Sequence, residues 1–418
     1  MLPAMRSLAG ERLLAFTAIA VVAGLSVHEW IAGRAHIHAT LAAPRGAAVM
    51  TAGDSAHYLQ IARSFAAGDL SFSYVAPTGG ADLAHRQPLY PALLAITMKV
   101  GGDGLETLAS VNLAILVAAL WAAYAVGARA LCSPLAGMAA AAALWRVPFL
   151  FENATTRLLT EPGYVLCGLL VAWGFLAHQA QPRRATLVLT ASALASAYLQ
   201  RTNGLFLAAS TLVVLSARDI VRTWYEPCPV PNGRMLRRWW LSALLVLAVL
   251  TIPSWLPRAI YAGRPFYHGY LPNYLWVDDY ERAHAAGAPR YEWRDYAREH
   301  DVRAAESRMS YGLRRTLWQS PREKYGVGVA SAMLVGIVLA LFAADRRVPA
   351  WLGVGLLQVM PLAWTALSNP TQRIPAAALL PFGLVAIAAG TDVVLGRVPV
   401  FRRNATRARL REIDASPR

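Results

Sequence analysis

Apolar residues in this chain come in long blocks, not in alternation, and the blocks are separated by short clusters rich in arginine. A block of about 18 residues or more reads as a membrane-spanning helix, because only a helix satisfies its own backbone polar groups in lipid. Ten blocks can be read: 13–32, 107–128, 134–151, 162–179, 185–199, 203–217, 239–257, one ending at Arg346 and Arg347, one emerging near Ser368, and one beginning after Arg373. The first has no small-residue cleavage site and exceeds a signal-peptide core, so it is expected to remain as a span. The expected fold class is all-α, a polytopic transmembrane helical bundle of about ten spans. No repeat period or low-complexity segment divides the chain, which implies one domain over 1–418.

The arginine clusters orient the spans by the positive-inside rule. Arg6 and Arg12 precede the first block; Arg129, the Arg183–Arg184 pair, Arg218, Arg222, Arg234, Arg237, Arg238, Arg346 and Arg347 all then fall on the same face. Both termini are expected on the cytoplasmic side, with seven arginines in the basic tail 392–418. Residues 33–105 become a first periplasmic loop and 258–325 a large second one. Within the first loop, 88–100 is apolar but short for a crossing, so it is expected to lie in the interface or to re-enter. Around Asp54, the side chains of Tyr58, Ile61 and Phe65 share one face of a helix.

Composition agrees with this pattern. The chain has 418 residues, of which 56% are hydrophobic and only 15% charged, against about 25% charged in soluble domains. The formal net charge of +16 would point to nucleic acid in a soluble protein. Here the positive charge lies between spans, where anionic lipid accounts for it. Membrane lipids, not nucleic acid, are the expected partners. Cys132, Cys167 and Cys228 show neither paired nor metal-ligand spacing, so no disulfide and no zinc site is expected.

Five ionisable residues stand at the outer ends of spans: Asp54, Arg86, Glu161, Arg201 and Arg373. Charges near lipid are costly and usually face a cavity or one another. Two carboxylates and three arginines at one membrane level suit an anionic lipid headgroup beside a group that needs a base. Each residue also has a plainer reading. Asp54 is placed to cap a helix, Arg86 and Arg373 to anchor at headgroups, Glu161 to complement a helix dipole ahead of Pro162, and Arg201 to sit in a solvated turn. The second loop holds Tyr267, His268, Tyr270, Tyr274, Trp276, Tyr280, Tyr291 and Trp293, which suit an interfacial aromatic belt or a lid over a sugar or lipid tail.

In order, Gly53-Asp54-Ser55-x-x-Tyr58-Leu59-x-x-Ala62, Gly68, Arg86-x-Pro88-Leu89-Tyr90-Pro91, Glu161-Pro162, Arg201-x-x-Gly204, and Arg373 followed by Pro375 and Pro381 resemble GT-C membrane glycosyltransferases. Protein O-mannosyltransferases and the aminoarabinose transferases of lipid A are the nearest groups. The resemblance covers about 10–260 well and the last spans more loosely. Ser55 stands where the family often has an acid.

The resemblance implies a GT-C-like bundle in a bacterial inner membrane, with a polyprenyl-phosphate sugar as donor and a lipid, glycan or protein hydroxyl as acceptor. Asp54 would be the catalytic base, and Arg86, Arg201 and Arg373 phosphate partners. Glu161, His57, Tyr58, His85 and Tyr90 complete the candidate donor- and acceptor-binding set. No cofactor is expected, although a divalent cation is compatible with the chemistry. A single base opposite the phosphate implies direct displacement with inversion. The rival class is a transporter or flippase of lipid-linked glycans, which would also need arginines at an anionic headgroup. Such transporters usually show repeats and broken midplane helices, and the charges here lie on one side only.

Overall fold

The computed structural model describes the chain except residues 1, 71–72, 76–80, 84–85, 226–232, 264, 266–272, 285–290, 343–344, 370, 372 and 398–418. His85, Cys228, Tyr267, His268, Tyr270 and most of the basic tail therefore lie outside the described residues.

The long helices are α1 (Leu2–Ala42), then, after the short α2 (Gly46–Met50), α3 (Asp54–Ala66) and α4 (Leu89–Gly101), the membrane helix α5 (Leu105–Ala125). They continue with α6 (Pro134–Trp145), α7 (Pro148–Thr155), α8 (Glu161–Ala180), α9 (Arg184–Gln200), α10 (Gly204–Tyr225) and α11 (Gly233–Ala262). Five short helices follow: α12 (Asn273–Trp276), α13 (Tyr280–His284), α14 (Trp293–Glu299), α15 (Val302–Arg314) and α16 (Ser320–Tyr325). The chain closes with α17 (Val327–Leu341), α18 (Arg347–Trp364) and α19 (Arg373–Arg397). The one departure from an all-α fold among the described residues is a small antiparallel hairpin, β1 (Ser73–Val75) with β2 (Ala81–Leu83), in the first loop.

This is a multi-pass membrane protein, and helices occupy all ten expected blocks. The count of ten is a different matter. Among the described residues six helices are long and apolar enough to cross, or seven if the bent pair α6–α7 is one span. α9, with 17 residues, and α17, with 15, are short for a straight crossing, and α18 does not meet the same test. The bend of 59° between α6 and α7 has a local cause. Pro148 pushes Val147 into extended backbone, at φ −89°, ψ 98°. The first loop also begins later than expected, because α1 continues to Ala42.

Burial separates centre from rim. In α8 and α19 72% of the apolar window is buried, against 11% in α11, so the first two form the middle of the bundle and α11 faces lipid. A second, smaller apolar cluster lies beneath α3 and α4. Tyr58, Leu59 and Ala62 meet Tyr90 and Leu94 there, over Leu108 and Leu113 of α5. The segment expected to be interfacial is thus a helix, packed as a cap over one end of the bundle.

Polar contacts define the two ends. At one, His178 Nε2 lies 3.4 Å from Asp219 Oδ2, Trp240 Nε1 donates to the same oxygen at 3.0 Å, and Arg218 donates to the Arg346 carbonyl. This end gathers the arginine-rich connections. The other end gathers the start of α8, the α9–α10 turn, the start of α19 and α3, and holds the candidate site.

Candidate functional site

Gly53 has φ 57°, ψ −127°, a region only glycine enters freely. It makes Asp54 the first helical residue of α3 and no side-chain cap is formed there. The Asp54 carboxylate instead accepts from two arginines, Oδ1 from Arg86 Nη2 and Oδ2 from Arg373 Nη2. The capping reading of Asp54 is therefore set aside. Both oxygens point into the site.

The pairing continues from Arg373. Its Nε lies 3.5 Å from Glu161 Oε1, which also accepts from Arg201 Nη1 at 2.7 Å. Arg201 Nη1 donates in addition to Thr160 Oγ1 at 2.8 Å. One continuous row results: Arg86, Asp54, Arg373, Glu161, Arg201. Glu161 is fully buried, while the other four side chains keep between 11% and 21% exposure. Three arginines against two carboxylates leave the row one positive charge in excess. Burial by itself would raise the pKa of Asp54. Arg86, Arg373 and Arg201 outweigh it and hold the carboxyl well below the usual range.

The remaining expected residues surround Arg86. His57 Nδ1 lies 3.2 Å from Arg86 Nη2, and the guanidinium sits 5.4 Å from the centre of the Tyr58 ring. Tyr58 meets Tyr90 edge-on at 5.2 Å. Tyr90 is fully buried in the apolar cluster behind Tyr58.

Local chemistry explains why these segments converge. Ser55, the departure noted in the motif, is buried, and its Oγ accepts from the Leu158 amide at 3.1 Å. Asn112 of α5 donates to the carbonyls of Arg157 and Leu159. They tie the turn before Glu161 to the helix of Asp54 and to α5. Gly163 lets Gln200 lie against α8, since a Cβ there would stand 1.8 Å from Gln200 Nε2. That approach brings Arg201 to Glu161.

A second shelf of polar residues escaped the sequence reading. Arg258, buried near the end of α11, donates to Ser254 Oγ at 2.5 Å and to the Arg86 carbonyl at 3.4 Å. Ser254 in turn donates to Gln87 Oε1 at 2.7 Å and meets the Tyr198 hydroxyl at 3.3 Å. Gln87 Nε2 donates to Thr202 Oγ1 at 3.3 Å. These contacts join the segments of Arg86 and Arg201 through α11. The legible signal was a serine and an arginine four apart, on one helical face, interrupting the end of an apolar block.

Among the described residues no three or more His, Cys, Asp or Glu side chains lie together as a metal cage. No protein-family model and no curated protein matches the chain. Solved structures similar to it include two membrane proteins. The Archaeoglobus fulgidus oligosaccharyltransferase shares 13% identity at a TM-score of 0.49, over 85% of this chain and 46% of that one. ArnT from Cupriavidus metallidurans shares 15% identity at a TM-score of 0.41, over 91% of this chain and 78% of that one. This chain spans less than half the length of the oligosaccharyltransferase.

Proposed function

We propose that this protein is a membrane glycosyltransferase of GT-C type that moves a sugar from a polyprenyl-phosphate donor to an acceptor hydroxyl, with inversion. The observation that carries the reading is the Asp54 carboxylate held between Arg86 and Arg373. One potential base and two cations of a kind suited to phosphate meet at one point. The ordered motifs around the same residues support it.

The arginines give the mechanism its sequence. A donor phosphate entering the row competes with Asp54 for Arg86 and Arg373, whose planar forks suit phosphate oxygens. Asp54, relieved of its cations, becomes a stronger base and takes the proton of the acceptor hydroxyl. The acceptor oxygen bonds to the anomeric carbon as the carbon–phosphate oxygen bond breaks. The electron pair leaves with the lipid phosphate, and the arginines stabilise that charge. Glu161 keeps Arg201 and Arg373 in place throughout. The site faces the periplasm of a bacterial inner membrane in this reading, with both termini cytoplasmic, and the acceptor is a lipid, glycan or protein. A membrane-impermeant thiol reagent should reach a cysteine at exposed Gln60 from the outside of cells; labelling from the cytoplasmic side only would reverse the orientation.

The decisive assay uses the purified full chain in lipid nanodiscs with synthetic polyprenyl-phosphate sugars and a panel of hydroxyl acceptors. Acceptor-dependent release of free lipid phosphate is expected. Movement of an intact lipid-linked glycan across a vesicle, with no release, would replace this reading by a transporter.

The state of Asp54 also sets a pH dependence. Its folded pKa lies below that of the unfolded chain, so its pairing stabilises the fold above about pH 4 and is lost as pH falls through the depressed value. The same carboxylate is ionised in the free enzyme across the neutral range. kcat/KM, which reports free-enzyme ionisations, should show no acid limb from Asp54 down to about pH 5. A carboxyl infrared band that titrates near pH 6 and is absent from Asp54→Asn would contradict the arrangement.

A further inference from the structure

The external segment from α12 to α16 contributes no residue to the row of five, yet its contacts converge on the connection that carries Arg373. Arg308 of α15 is their centre, with a side chain only 1% exposed. Its Nη1 donates to Asp278 Oδ1 at 2.6 Å, its Nη2 to the Tyr274 carbonyl at 2.9 Å, and its Nε to the Trp364 carbonyl at 2.8 Å. The guanidinium lies over the rings of Trp364 and Tyr296, at 4.6 and 5.1 Å. Trp364 Nε1 returns a bond to the Leu275 carbonyl at 2.7 Å, and Ser368 Oγ donates to the Tyr274 carbonyl at 2.6 Å. Farther along, the Tyr325 hydroxyl donates to the Ala376 carbonyl, in the first turn of α19.

These bonds grip both sides of a short connection. Trp364 ends α18, Arg373 begins α19, and the grip falls at Trp364, Ser368 and Ala376. The seat is tight as well: a Cβ on Gly312 of α15 would stand 1.9 Å from the Ala363 carbonyl, so α15 and α18 meet backbone to backbone. A surface loop that merely covered a ligand would not bury an arginine to tie its own α12 to the end of α18 through backbone carbonyls. An arginine placed in this way fixes the relative position of the groups it bridges, because its donors lie in one rigid plane.

We propose that Arg308 is a positioning residue: through the carbonyls of Tyr274 and Trp364 it fixes the α18–α19 connection and so holds Arg373 at Asp54 and Glu161. The external segment is a brace for the phosphate site. This rests on the reading of Arg373 as a donor-phosphate partner.

The test measures binding of a short polyprenyl monophosphate to the full chain in nanodiscs, together with amide exchange over 364–376. Arg308→Lys keeps the charge but cannot span Asp278 and two carbonyls; Ser368→Ala removes only a hydroxyl, shared between the Tyr274 and Thr365 carbonyls, and covers the case in which the lysine variant fails to fold. Arg308→Lys should weaken binding about tenfold, as a small misplacement of a positioned group does. Ser368→Ala should weaken it less, and both should speed exchange over 364–376. Neither should weaken binding further in an Arg373→Ala background, which a general loss of structure would not spare. Unchanged affinity in both single variants, or a loss that persists undiminished without Arg373, overturns the positioning role. If Arg373→Ala itself leaves affinity unchanged, the donor-site reading fails and the positioning proposal falls with it.

Discussion

Asp54→Asn is expected to abolish sugar transfer while tightening the grip on the donor phosphate. The two effects have one cause. As a carboxylate, Asp54 occupies Arg86 and Arg373 in the unliganded protein, so an incoming phosphate has to displace it. An amide is nearly the same size but neutral, so it no longer competes as an anion for Arg86 and Arg373. Removing that competitor should lower the dissociation constant of a polyprenyl monophosphate by about tenfold, or about 1.4 kcal/mol. The amide cannot accept the acceptor's proton, and general-base assistance is worth about 10² to 10⁴ in rate. Transfer should fall by at least the lower figure. Some loss of thermal stability is also expected, because two partly buried ion pairs disappear, although Arg373 keeps Glu161. Calorimetric binding and single-turnover transfer on the same preparation check both halves. Weaker phosphate binding in Asp54→Asn would show that the carboxylate does not compete for the arginines, and near-normal transfer would remove it as the base.

Arg201→Ala is expected to be a stability lesion as much as a functional one. From the sequence alone, Arg201 looks dispensable for folding, a charge at the tip of a hairpin. The structure pairs it with a carboxylate that has no exposure at all. Breaking a buried pair by removing one partner costs about 3–5 kcal/mol, because an uncompensated charge remains inside. Arg373 still stands 3.5 Å from Glu161, which places the expected cost near the lower end, at about 3 kcal/mol. The double variant Arg201→Ala with Glu161→Gln removes the orphaned charge and should recover much of that loss without restoring donor binding. Thermal unfolding in detergent of the two single variants and the double variant gives the comparison. A double variant no more stable than Arg201→Ala would mean that the pair does not interact as described.

Much of the architecture was legible because membranes impose local rules. Apolar block length depends on no long-range contact, so helices stand where the blocks predicted them. The amphipathic face of α3 emerged for the same reason, with Tyr58 and Ile61 buried and Phe65 packed beside them. The span count was less legible. α9 is short and largely buried among its neighbours while α17 is short and largely exposed, and an apolar block reads the same whether it crosses the bilayer straight, bent or only in part.

What the sequence by itself determined was the list of five charged residues. A charge at the end of an apolar block is expensive wherever it goes, and that expense is visible in one dimension. What only the tertiary structure decided was the pairing. Asp54 takes Arg86 from 32 residues away and Arg373 from 319 away, and no local periodicity carries such a separation. The same holds for Ser254 and Arg258, which read as the end of a span until α11 sets them against Gln87 and the Arg86 carbonyl. It holds most of all for Arg308. Its guanidinium bridges one side chain and two backbone carbonyls, and a carbonyl acceptor leaves no mark on the residue that carries it.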